Sequence, residues 1–223
     1  MIVVPAANFL EMASFAAQKD PSRYFLEGVY IHTGRGGDVR LAATDGHVLA
    51  VCSLEKGTAI ATHDAIVRTV KADRDLLSTL KGSRKDPSPR YLVVDDRGHA
   101  RVVFAAHDAS QAMEVAADAE SPLYLGRFNG ATIDGSFPDY ERVIPTGPFS
   151  TTVPEGLTFN PALLGRFAGF GFFQMLFEPK DDCALLRFTW RPDVVGVVMG
   201  ARGDADLKGL PGWLFRLALE TAE

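Results

Sequence analysis

The stretch Leu41–Leu54, LAATDGHVLAVCSL, brings an acid, a base and a nucleophile close together in sequence: Asp45, His47 and Cys52. Side chains of these types can act as general acid, general base and attacking thiolate, provided they come within hydrogen-bond reach of one another. The same letters support a plainer reading. Asp45-Gly46 stands between two apolar runs, and Gly tolerates the positive φ of a two-residue hairpin turn. Cys52 then falls inside an apolar strand with Val48, Leu49, Val51 and Leu54, where a thiol is usually inert packing. The hairpin is the better reading, and no catalytic residue is expected.

The chain that must position this hairpin has 223 residues, 47% of them hydrophobic and 23% charged. Its mean hydropathy is +0.04, as expected of a soluble protein with one large domain or two small ones. No stretch approaches the roughly 18 uninterrupted apolar residues of a membrane span. The N-terminus MIVVPAANFLEM lacks the basic start of a secretory signal. Two cysteines, Cys52 and Cys183, are too few for a disulfide framework or a four-thiolate zinc site, which suggests a reducing cytoplasm. The five histidines are scattered, so no metal or other cofactor is expected.

A formal charge of -5 taken alone argues against a nucleic-acid binder. Its distribution argues the other way. Between Arg68 and Arg90 seven basic residues face three acidic ones, so this segment carries +4 and the remainder -9. One face could hold a polyanion while the rest repels it, although a solvated helix face has the same composition.

The order of elements repeats. Val3-Val4 starts a strand, and Pro5 opens a helix to about Lys19 whose apolar face is Phe9, Met12, Ala13 and Ala16. Strands follow over Phe25–Thr33, Val39–Thr44 and the hairpin return through Cys52. A second copy reads as strand Ala65–Val67, helix Lys71–Lys81, and strands Tyr91–Val94, Ala100–Ala105 and Ala112–Ala116. A looser region, Asp118–Gly135, leads to the turn-rich Asp134–Tyr140. In the third copy Leu157–Phe159 is a strand, and Asn160-Pro161 is an N-cap with Pro at the first helical position. Gly169 and Gly171 stop that helix, and strands Phe172–Glu178, Ala184–Trp190 and Val194–Met199 follow. Leu207–Glu223 reads as a C-terminal helix with Leu210, Trp213, Leu214 and Leu217 on one face. Three strand-helix-three-strand units indicate an internal repeat in an α+β protein, with helices on one face of antiparallel sheets.

Three motifs in this order and spacing resemble the bacterial DNA polymerase III beta subunit, the sliding clamp. They are Arg23–Gly28 (RYFLEG), Ala43–Ala50 (ATDGHVLA) and Asp134–Pro145 (DGSFPDYERVIP). The likeness is to that family's middle domain, over about Val3 to Pro145. Leu157–Arg202 resembles the last half of its final domain. The resemblance implies a DNA-clamp fold of repeated β-α-β-β-β units. It divides the chain into a clamp domain at 1–145, a partial clamp domain at 146–203 and a helical extension at 204–223.

The function implied is that of an accessory subunit of a DNA polymerase, not an enzyme: a replication processivity factor that encircles duplex DNA as a homo-oligomeric ring. Its partners would be double-stranded DNA, and a DNA polymerase and clamp loader bound through short linear peptides. The alternative is a clamp-derived peptide-binding module or regulator that forms no ring. Carried over position by position, the peptide pocket would comprise Leu26, Thr44, Gly46, His47, Val48, Leu49, Pro138, Arg142, Val143, Val197, Met199 and Arg202. DNA contacts would come from Arg23, Tyr24, Lys71, Arg74, Lys81, Arg84 and Lys85. The chain departs from the family pattern in lacking a first domain and in having three units where the bacterial protein has six. Val48 also replaces a basic residue, and Gly200-Ala201 replaces a Pro-Met pair.

Overall fold

The computed structural model describes residues 1–68, 90–104, 108–118, 120–121, 123–128, 132–154, 156–178 and 181–202. The expected helices at Lys71–Lys81 and Leu207–Glu223 fall outside them. The first unit runs β1 (Ile2–Pro5), α1 (Ala6–Ala13), β2 (Gly28–Thr33), β3 (Val39–Thr44) and β4 (Val48–Leu54). A two-residue strand, β5 (Ile60–Ala61), closes it. The second contains β6 (Ala65–Arg68), β7 (Arg90–Val94), β8 (Ala100–Phe104), α2 (Ala109–Ala117), β9 (Tyr124–Phe128) and the short β10 (Thr132–Ile133). The third is β11 (Leu157–Thr158), α3 (Pro161–Gly165), β12 (Phe173–Phe177), β13 (Cys183–Phe188), β14 (Val194–Met199) and the short β15 (Ala201–Arg202).

The units do not build separate sheets. Strand β1 leaves its own unit and pairs with β7, while β6 of the second unit pairs with β2 of the first. The result is one sheet ordered β5-β1-β7-β8-β9 and another ordered β10-β6-β2-β3-β4-β14-β13-β12. The larger sheet crosses from the first unit to the third through antiparallel pairing of β4 with β14, Val194 opposite Cys52 and Val198 opposite Val48. The two halves of the chain therefore share a sheet and a core.

Helix α1 explains why both sheets need each other. Its Phe9, Met12 and Ala13 recur at helical spacing and are fully or nearly buried, with Ile2, Val4, Leu92 and Val102 of one sheet and Ile31, Leu41 and Cys52 of the other in the same cluster. The helix stops at Ala13, earlier than the expected Lys19. The Ala17 N–H is taken by the Leu26 carbonyl at 2.8 Å, and Lys19 adopts φ +49°. Phe15 and Ala16 stay in the core all the same. Residues Tyr24–Leu26 form a 3-10 turn where a strand was expected.

One element differs in kind. Ala112–Ala116, expected as a strand, lies inside helix α2. The Asp108 carboxylate caps that helix by accepting the Gln111 N–H at 2.9 Å, and Ala109, Ala112, Val115 and Ala116 form a buried stripe at helical spacing. The stripe packs on Val3, Tyr91, Val93 and Val103, the face of the small sheet turned away from α1. The third strand of that unit is β9, inside the region expected to be loose. In the third unit the Asn160 side chain accepts the Ala162 N–H at 2.9 Å with Pro161 at the first position, as expected, but the helix ends by Gly165.

Candidate functional site

The β3–β4 turn contains three residues, Asp45–His47, not two. Side chains make the difference by taking up backbone groups that a tighter turn would pair together. The Asp45 carboxylate accepts the N–H groups of His47 (2.8 Å) and Val48 (3.0 Å). Thr44 Oγ1 accepts the Gly46 N–H at 3.0 Å and donates to the Val48 carbonyl at 2.6 Å. Gly46 sits at φ +92°, and a Cβ there would lie 2.6 Å from the Arg23 guanidinium, so a side chain is excluded twice over.

These contacts exclude the catalytic reading. Asp45 also forms an ion pair with Arg166, which in turn donates to the Ser14 carbonyl at 2.9 Å. Burial pushes the Asp45 carboxyl up, but the two backbone N–H groups and the guanidinium outweigh it and hold the group below the usual carboxylate range. Cys52 belongs to the other face of β4, where it is fully buried among core residues. Burial pushes its thiol up to about 12, against a partial opposing effect of the Asn8 amide that donates to it at 3.5 Å. A thiol held protonated in the core is no nucleophile.

Strand alternation separates the two faces of the large sheet. Val48, Ala50 and Cys52 of β4 and Val194 and Val198 of β14 point to the helices. Leu49, Val51 and Val197 point the other way, into a second apolar cluster with Ala42, Leu185 and Tyr140. The segment 134–145 is fixed over this second face by anchors on β2 and β3. Tyr140 Oη and His32 Nε2 are 2.8 Å apart in a buried hydrogen bond. His32 Nδ1 faces the Thr33 carbonyl at 3.2 Å, which can only accept, so Nε2 accepts from the tyrosine hydroxyl. Arg40 bridges Asp38 (2.7 Å) and Glu141 (2.9 Å), and Phe137 stacks on Tyr30 with ring centroids 5.0 Å apart.

Between that segment, the β3–β4 turn and β14 lies a cavity of about 590 Å³. Leu26, Val48, Leu49, Tyr140 and Val197 are its buried lining, while Val143 (56% exposed) and Met199 (50%) stand open to solvent. The structure brings eleven of the twelve expected pocket positions to this cavity: Leu26, Thr44, Gly46, His47, Val48, Leu49, Pro138, Arg142, Val143, Val197 and Met199. Arg202 is placed on β15 opposite Leu157, and its side chain is outside the described residues.

Several lining residues carry no signal in the sequence, because they arrive on turns. Phe25 and Tyr140 come from the 3-10 turns, and Asp181, Asp182 and Cys183 come from the β12–β13 connection. Arg23, expected at DNA, lines the cavity as well and is held by Asp20 at 2.8 Å. Tyr24 is exposed and stands edge-on to Phe25. Arg142 pairs with Asp139 at 2.8 Å on the rim. Burial, with Asp181 and Asp182 alongside, pushes the Cys183 thiol up to about 11. Lys71, Arg74, Lys81, Arg84 and Lys85 lie outside the described residues. The site is an apolar trough with charged margins, suited to hold a short apolar segment rather than to make or break bonds.

Residues 5–83 match the family model for the DNA polymerase III beta subunit, central domain. Over 141 residues the chain is 30% identical to the beta sliding clamp of Escherichia coli (strain K12), covering 63% of this chain and 32% of that protein. It is 29% identical over 140 residues to the beta sliding clamp of Pseudomonas aeruginosa, with the same coverage of 63% and 32%. The chain thus spans about a third of the length of the curated relatives it matches. Among solved structures, the DNA polymerase III subunit beta from Pseudomonas aeruginosa aligns with a TM-score of 0.62 at 20% identity, over 91% of this chain and 67% of that one. The sliding clamp from Bartonella birtlesii bound to griselimycin aligns at 0.63 and 20% identity, over 91% and 66%. The fold is that of the DNA clamps, and the likeness to the beta subunit carried by the three sequence motifs holds.

Proposed function

We propose that this relative of the bacterial sliding clamps is a DNA-polymerase processivity factor without catalytic activity. It surrounds duplex DNA as an oligomeric ring and holds its partners by short peptides seated in the trough beside the β3–β4 turn. The observation that supports this most is the trough itself. Eleven positions from three separate stretches converge there, and the sheet joint between β4 and β14 runs beneath it. An apolar floor takes the anchoring side chains, the flexible Met199 wall adapts to them, and the polar rim sets the direction of the peptide.

Griselimycin, bound by the Bartonella birtlesii relative, is a convenient probe. Titration calorimetry should show one site per chain. Met199→Asp places a carboxylate on an exposed apolar wall without disturbing the core, and should weaken binding at least about tenfold. Equal binding by a folded M199D protein would move the site elsewhere. Light scattering then separates ring from module. An oligomer retained on circular but not linear DNA supports the processivity factor, whereas a monomer that still binds the probe leaves the peptide-binding module.

A further inference from the structure

The strand pairings follow one rule in all three units. Each unit's first strand pairs with the short strand that ends the same unit: β1 with β5, β6 with β10, β11 with β15. The opposite side of the first strand pairs with the second strand of a companion unit. Strand β1 takes β7, and β6 takes β2. In this way the first and second units complete each other by exchanging first strands.

The third unit breaks the rule. Among the described strands β11 has no partner beyond β15, and β12 is the last strand of the large sheet. The outer edge of β12 meets only Ser150, whose two 2.8 Å backbone hydrogen bonds cover its Phe177 end. That edge reads FQMLF, with none of the charges or prolines by which exposed edges usually repel strand addition. Phe172 (72% exposed) and Trp190 (66%) stand beside it with ring centroids 5.3 Å apart.

We propose that the two free edges are completed by a second copy of this chain. The β11 region of each copy lies antiparallel along β12 of the other, about a two-fold axis. The third units of two copies thereby form one whole clamp domain, related by true symmetry as the first and second units are by internal repetition. A second copy is the occupant that fits, because it supplies both missing strands at once and uses a joint the chain already contains. It also meets no like-charge repulsion along an uncharged edge. The internal exchange sets the register. Pro5, just before α1, faces Tyr91, the second residue of β7. By the same offset Asn160, just before α3, faces Gln174, and Thr158 faces Leu176.

The inference goes beyond the tethering function, and its test is independent of peptide or DNA binding. Full-length Thr158→Cys and Leu176→Cys proteins, mixed and mildly oxidised, should give a disulfide-linked dimer that neither single variant nor the unmodified chain gives. Light scattering of the unmodified protein should show a dimer or a multiple of it. A monomer, or the absence of the mixed cross-link, overturns the proposal. So does a cross-link that appears only after deletion of residues 204–223, because that segment would then be the occupant. A dimer that cross-links but does not stay on circular DNA would refute the ring and leave this pairing intact.

Discussion

At the scale of single residues, the site depends on polar anchors more than on the apolar floor. Asp38 is the first link of one such chain. It receives Arg40 at 2.7 Å and the Ser53 hydroxyl at 2.7 Å, and Arg40 passes the contact on to Glu141 in the segment that walls the trough. The Arg40 and Ser53 hydrogen bonds lower the Asp38 carboxyl to about 2. A carboxylate depressed in the folded state adds stability above its unfolded value of about 3.9, and that stability is lost as pH falls through the folded value. Between pH 4 and pH 2 the anchor should therefore loosen. Asp38→Asn should cost about 1 kcal/mol at pH 7, between an exposed ion pair and a buried charge-assisted hydrogen bond. Urea unfolding at several pH values should show a smaller acid-side loss for this variant. An unchanged acid slope would detach Asp38 from the pH response. None of this chain of contacts is legible in the sequence, since Asp38, Arg40 and Glu141 meet only after the sheet has formed.

At the scale of elements, legibility follows how local the cause is. Strands β3 and β14 have the boundaries that their apolar patterns predict, and the Asn160-Pro161 cap starts α3 where it should. Helix α2 was hidden because Ala112–Ala116 suits a strand or a helix equally. The deciding signals are Asp108 as cap and the spacing back to Ala109. If that cap selects the helix, Asp108→Ala should destabilise the protein by about 1 kcal/mol. It should also speed hydrogen exchange at Gln111 while the core amides of β3 stay protected. Protection of Gln111 equal to that of the unmodified protein would show that packing alone holds α2. The trough was legible in its parts, through three motifs that each belong to one turn or strand. Its closure was not, because it depends on β4 finding β14 across roughly the length of a small domain.

At the scale of the whole molecule, three units per chain and the exchange of first strands give a simple geometry. If two chains join at their third units, the open edge at β9 of each remains for a further joint. Four chains would then supply the twelve units of the family's closed rings, with neighbouring chains turned over. The troughs would alternate between the two faces of the ring, so a partner could dock from either side. The basic segment Arg68–Arg90 would supply the charge facing DNA. Reversing Lys71, Arg74 and Lys81 together to Glu should shorten retention on circular DNA and flatten its dependence on salt. Equal retention would place those residues on the outside.

The joint of β4 with β14 has one more consequence. A peptide in the trough touches Thr44–Leu49 on one side and Val197 and Met199 on the other, so it binds the joined form alone. Each bound partner must then hold the joint shut by mass action, as a rivet holds two plates. Occupancy of the clamp would decide not only what travels with it but how long its own halves resist coming apart.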